Sequence, residues 1–212
     1  MPAPLIKICG LTTAEVLEAA IAARADYFGL MFFAPSPRNL SFATAAQLAA
    51  QAGTRIGRVG VFVDPDDALL EQAVAAGQLD VLQLNGTAPV RRAELRARYG
   101  LPIWAVHEVA GPDSLAGLDQ YHANDLLLYD AKTPKGSALP GGMGLSFDWA
   151  MLASAKHPQH WGLAGGLTPA NVTAAIAQTS APLVDTSSGV ESASGIKDPA
   201  LIAAFCKAAR AT

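Results

Sequence analysis

The chain has 212 residues, 51% of them hydrophobic and 16% charged, with a formal net charge of −3. That balance belongs to a folded globular protein and excludes disordered, collagenous and coiled-coil chains. Without a run of Lys or Arg there is no electrostatic footprint for a nucleic acid or an anionic membrane, and neither partner is expected.

Two cysteines, Cys9 and Cys206, make no disulfide framework, and no CxxC or His/Cys cluster has the spacing of a metal site, so no metal is expected. The opening MPAPLIKICG lacks the apolar core of a signal segment, and the apolar stretch around Tyr27 to Pro35 is too short to span a bilayer. The default compartment is the reducing cytoplasm, where the sequons at Asn85 and Asn171 are chance matches.

In chain order, the first apolar run, Leu5–Cys9, is followed by Thr13, which caps the Ala-rich AEVLEAAIAAR. The next runs are Tyr27–Phe33 and Arg58–Val63. Pro65-Asp66-Asp67 then opens a helix that stops at Gly77, the expected C-cap. Val81–Leu84, Pro102–His107 and Asp125–Asp130 follow, and then Lys132–Ser146, a glycine- and proline-rich loop long enough to be a functional lid. After His160–Ala164, Thr168 and Pro169 read as N-cap and first residue of another helix. Leu183–Asp185 is the last run, and Lys197-Asp198-Pro199 repeats the capping device before ALIAAFCKAAR.

Short runs bounded by Gly, Pro, Asn or Asp read as strands buried on both faces. Alternation with helices fits either a doubly wound sheet or a (β/α)8 barrel. No GxGxxG follows the first strand, and eight units without a linker favour a closed α/β barrel of the TIM type, with residues 1–212 as one domain.

Polar residues then fall at the ends of the runs, on one rim of such a barrel. Cys9, Asp130 and Asp185 end strands one, six and eight; Gly165 and Gly166 follow strand seven, and Ser187, Ser188 and Gly189 follow strand eight. Glycines admit a close approach of backbone N–H groups and serines add hydroxyls, which is what a phosphate dianion needs, and this fold often builds its phosphate site there. The segment SSGVESASG has room for the short extra helix of such a site. Cys9 alone reads first as a small buried hydrophobe; sharing a rim with Asp130 tips it towards chemistry. His107, also placed at the rim, reads as a bystander.

The segments IKICGLT, FAPSPRNLS, VGVFVD, DVLQLNG, LLLYDAK, GGMGLSFDW, LAGGLTPANV and VDTSSGVES…GIKDP, in that order, resemble the phosphoribosylanthranilate isomerase family over nearly the whole chain. The resemblance implies an Amadori rearrangement in tryptophan biosynthesis. It needs no cofactor, takes a small phosphorylated sugar as its partner, and is run by a monomer or homodimer. By motif match Cys9 is the general base, Asp130 the general acid and Arg38 the clamp for the anthranilate carboxylate. Gly142, Gly144, Gly165, Gly166, Ser187, Ser188 and Gly189 bind phosphate, and Lys7, Asn85 and Asp185 lie in the pocket. Lys7, two residues from Cys9, is positioned to stabilise a thiolate.

Three positions depart from the family pattern. Asn85 stands where His is common and cannot carry a proton; Met143 replaces a Ser or Thr of the glycine loop; Thr186 replaces Val. A related sugar-phosphate isomerase serving histidine biosynthesis and a catalytically silent metabolite-binding barrel remain as alternatives.

Overall fold

Eight parallel strands, each hydrogen-bonded to the next, close into a barrel in the computed structural model, which describes residues 3–211 apart from 117, 119–120, 122–124, 133–143 and 154. The strands are β1 Leu5–Cys9, β2 Tyr27–Phe32, β3 Gly57–Val63, β4 Val81–Asn85, β5 Ile103–Val109, β6 Leu126–Ala131, β7 Trp161–Leu163 and β8 Leu183–Thr186. Closure comes from β1 pairing with β8, in a register that sets Lys7 beside Asp185.

Alternation along each strand divides the apolar residues. Val59, Val61, Val81, Trp104, Leu128 and Leu183 pack together inside the barrel. Ile6, Ile8, Phe28 and Leu82 face outward into the larger cluster shared with the helices, where Leu17 and Phe205 meet them. Strands buried on both faces this way read as continuous apolar runs, which is why all eight are visible in the sequence.

The helices are α1 Ala14–Ala22, α2 Phe42–Ala52, α3 Asp67–Gly77, α4 Pro89–Tyr99, α5 Ala150–Ala153, α6 Val172–Thr179 and α7 Pro199–Ala209. Thr13, Ser41, Asp66 and Asp198 each accept a hydrogen bond from a first-turn amide, the satisfaction that a helix start demands. Between β5 and β6 the described residues include a 3-10 turn, Pro112–Leu115.

Two expected caps are corrected. Gly77 is still helical, and Gln78 takes the left-handed cap with φ 43°; Gly77 is small because a Cβ there would lie 2.7 Å from Leu79. Thr168-Pro169 opens a turn and not α6. Asn171 accepts from the Thr168 amide and donates to the Gly166 carbonyl, each at 2.9 Å or less, and α6 begins only at Val172.

After β8 the chain makes a 3-10 turn, Ser188–Val190, where the sequence left room for a short helix. It then folds into a two-stranded hairpin, β9 Glu191–Ala193 and β10 Ile196–Lys197. No helix among the described residues is long and apolar enough to cross a membrane.

Candidate active site

Strand ends that are far apart in sequence line a single cavity of about 840 Å3, its open mouth included. Cys9 and Asp130 both line it, together with Arg38, Asn85 and Asp185. Its wall also holds Gly144, Gly165, Gly166, Ser187, Ser188 and Gly189. Strand order sets out the poles around the rim. The glycine–serine turns follow β7 and β8; Cys9 comes next on β1; Met31 of β2 and Val61 and Val63 of β3 supply an apolar wall beyond it.

Two glycines make room for the ends of this arrangement. Gly29 on β2 pairs with Cys9, and a Cβ on it would lie 2.9 Å from the sulfur. Gly10, with φ +74°, lets the chain turn away directly after Cys9, and a Cβ there would lie 2.6 Å from the Arg38 Cδ. The Cys-Gly pair thus brings the thiol and the guanidinium to neighbouring parts of the wall.

Lys7 is fully buried and does not line the cavity. Its Nζ donates to Asp185 Oδ2 at 2.9 Å beneath the floor. Burial disfavours its charge, but the Asp185 carboxylate and the nearby Cys9 sulfur outweigh this and hold the ammonium above its ordinary value. For Cys9 the balance goes the other way. Burial pushes the thiol up, Lys7 and Lys197 pull it down, and burial prevails. Lys7 does favour a thiolate, as its position on the strand suggests, but the protein's own groups leave the sulfur a thiol at neutral pH.

Asp130 is raised to about 7, chiefly by burial, against a hydrogen bond from the Ala131 amide; the Asp185 and Glu108 carboxylates add to the rise. Glu108 is its register partner on β5. An aspartate titrating there is about half protonated at neutral pH and can donate that proton, the property a general acid requires.

The phosphate-type pole is built from backbone. Gly165 and Gly166 have φ +85° and +65°, and a Cβ on Gly166 would lie 2.9 Å from the Gly144 and Leu145 carbonyls. Gly189 is tighter still, 1.9 Å from the Leu167 carbonyl. The Thr186 hydroxyl donates to that same carbonyl at 2.7 Å, a bond that Val could not make. Gly142, Met143 and most of the expected lid lie outside the described residues.

Arg38 is not a solvent-exposed loop residue: it is 4% exposed and held by a carboxylate. Its Nε and Nη2 donate to Glu191 Oε1 and Oε2 at 2.7 and 2.8 Å. Lys197 Nζ backs Glu191 at 2.5 Å and also donates to the carbonyl and hydroxyl of Ser187. Sequence reasoning missed both residues, since partners separated by 153 positions leave no local trace. Gln83 was missed too. It lines the cavity, and its Oε1, like Asp185 Oδ1, is buried with no hydrogen-bond partner among the described residues. The Asn85 amide donates to the Phe62 carbonyl at 2.9 Å. His107 faces away from the cavity, into the shell around the barrel, with its ring nitrogens on the Tyr121 hydroxyl and the Ser114 carbonyl.

A sequence model of the N-(5'-phosphoribosyl)anthranilate (PRA) isomerase family matches residues 6–208. The chain belongs to that family. It is 53% identical to the N-(5'-phosphoribosyl)anthranilate isomerase of Paracoccus denitrificans, an alignment covering 98% of this chain and 96% of the relative. The crystal structure of TrpF from Jonesia denitrificans superposes with a TM-score of 0.83 at 37% identity, over 98% of this chain and 97% of that one. A phosphoribosyl anthranilate isomerase in complex with reduced 1-(o-carboxyphenylamino)-1-deoxyribulose 5-phosphate matches with a TM-score of 0.82 at 27% identity, covering 99% and 100% of the two chains. The chain is therefore an isomerase of tryptophan biosynthesis on a TIM barrel.

Proposed function

We propose that Cys9 is the general base and Asp130 the general acid of the isomerisation of N-(5'-phosphoribosyl)anthranilate to 1-(2-carboxyphenylamino)-1-deoxyribulose 5-phosphate, run in the cytoplasm by residues 1–212 as one catalytic unit. The observation that carries this reading is the single cavity lined by thiol and carboxyl together with the glycine–serine turns and Arg38.

Asp130 gives its proton to the ribose ring oxygen as the C1–O bond breaks, and the anthranilate nitrogen lone pair forms the C1=N iminium. With the iminium beside it Cys9 releases its thiol proton to solvent, and the resulting thiolate takes the C2 proton. The C2–H electrons become the C1=C2 double bond, and the nitrogen recovers its lone pair. Transfer of a proton from the enol oxygen to C1 gives the ketone, Cys9 is left as the thiol, and solvent returns the released proton to Asp130. The elevated thiol pKa is consistent with this order, because the iminium places a positive charge beside the sulfur at the step that needs a thiolate.

Holding the sugar is the other half of the work. Gly144, Gly165, Gly166, Ser187, Ser188 and Gly189 present amides and hydroxyls to the phosphate. Met31, Val61 and Val63 cover the anthranilate ring, and Arg38 meets its carboxylate. The unpartnered oxygens of Gln83 and Asp185 suit sugar hydroxyls, which donate the hydrogen bonds these acceptors lack.

The test is turnover in Cys9→Ala and Asp130→Asn, followed as loss of substrate fluorescence. Each change should lower kcat about a hundredfold to ten-thousandfold with the fold retained. Near-normal turnover in either variant removes that residue from its role.

A further inference from the structure

We propose that Glu191, backed by Lys197, is the positioning residue that aims the Arg38 guanidinium at the substrate carboxylate; the inference rests on the clamp role given to Arg38 above. Neither Glu191 nor Lys197 lines the cavity, so neither meets the substrate directly. Both side chains are almost wholly buried, at 4% and 0% exposure.

Arg38 sits in the loop after β2, on a long flexible side chain whose orientation no strand fixes. Two parallel hydrogen bonds to one carboxylate fix a guanidinium's plane as well as its position. Glu191 makes that pair on the Nε–Nη2 edge, which sets the plane of the guanidinium at the cavity wall.

Glu191 is itself immobilised. The Lys197 ammonium grips Oε1, and the Gly195 amide donates to Oε2 at 3.1 Å. The hairpin of β9 and β10 sets these groups opposite each other, with Lys197 in register with Glu191.

From Lys197 the contacts run on to the phosphate pole and the base. Its Nζ donates to the Ser187 carbonyl and hydroxyl at 3.0 and 3.2 Å, and the Ser187 hydroxyl donates to the Cys9 carbonyl at 3.2 Å. One continuous set of hydrogen bonds thereby ties the carboxylate clamp, the phosphate turn and the strand end that carries Cys9. The distance between the two anionic ends of the substrate is gauged by this hairpin, and buried contacts of this kind hold an orientation that a loop alone could not.

Glu191→Gln keeps the shape and removes the charge that makes the pair strong. The experiment compares kinetics on two probes: the natural substrate, and the adduct of ribose 5-phosphate with aniline, which lacks the carboxylate. For the natural substrate KM should rise about tenfold or more, the loss associated with a charge-assisted bond, while kcat changes far less. For the aniline adduct, variant and wild type should agree within about twofold, because Arg38 has nothing to clamp there. Equal losses on both probes would show a general scaffold role and overturn the proposal, and so would an unchanged KM for the natural substrate. If wild type itself handles both probes alike, the Arg38 clamp falls. If wild type discriminates and Glu191→Gln discriminates just as well, only the role of Glu191 falls. Should Glu191→Gln fail to fold, Glu191→Asp, which keeps the charge but retracts it by one methylene, is read against the same outcomes.

Discussion

Replacing Asp130 by Asn should stabilise the protein increasingly as the pH rises, at the same time as it lowers kcat. The reason lies in where this carboxyl titrates. Burial beside Asp185 and Glu108 lifts it to about 7 from an ordinary 3.8. Below the ordinary value the group is protonated in both folded and unfolded chains, and it costs folding nothing. Between the two values the unfolded chain gives up its proton while the folded chain keeps it, so stability falls by about 1.4 kcal/mol per pH unit. Above about pH 7 both states are ionised and the loss levels off at roughly 4 kcal/mol. This is an upper limit, since Asp130 is only partly buried and faces a cavity that water enters. Asparagine cannot ionise, and its carbonyl can still accept from the Ala131 amide now bonded to Asp130 Oδ1 at 2.8 Å. The advantage of Asp130→Asn over wild type should therefore grow by about 2.5 kcal/mol between roughly pH 5 and pH 8. Denaturant titrations of both proteins at the two pH values measure it, and groups common to both cancel. A difference that stays flat with pH, or shrinks as pH rises, would refute the claim that this carboxyl is held protonated by its surroundings.

Two further outcomes follow from the packing. Lys7→Met removes the cation that opposes the upward push of burial on Asp185, and breaking this buried pair should cost about 3–5 kcal/mol in a denaturation experiment; with the ammonium gone, alkylation of Cys9 at fixed pH should slow, and a faster reaction would contradict the stabilising role of Lys7. Gly189→Ala drives a methyl group to 1.9 Å from the Leu167 carbonyl, so the 3-10 turn must shift. Phosphate-bearing ligands should then bind at least about tenfold more weakly, as a KM series would show, whereas an unchanged KM would place the phosphate elsewhere.

The parts of this molecule legible in the sequence are those encoded locally. β1 and β6 could be read because two-sided burial leaves them mainly apolar, with Lys7 the one charge inside β1 and Asp130 next to the end of β6. Thr13, Asp66 and Asp198 were legible as caps because an N-cap side chain serves an amide two or three residues on. Thr168-Pro169 misled for the same reason. It is a good local start signal, but Asn171 closes the turn back onto Gly166 and delays α6. Glu191, Lys197 and the orphaned oxygen of Gln83 became visible only once strands from opposite ends of the chain stood side by side.

The pairing of β1 with β8 carries a consequence for how the molecule comes into being. The ammonium beside the Cys9 sulfur is supplied by Lys7 on the first strand, and its counter-ion by Asp185 on the eighth. Until the ribosome has delivered that last staple, the N-terminal strand holds an uncompensated cation and the ring of strands has a gap at the same spot. A nascent or truncated chain ending before Leu183 would thus lack the seam and the chemistry together: assembling the cylinder and arming the catalyst are one event.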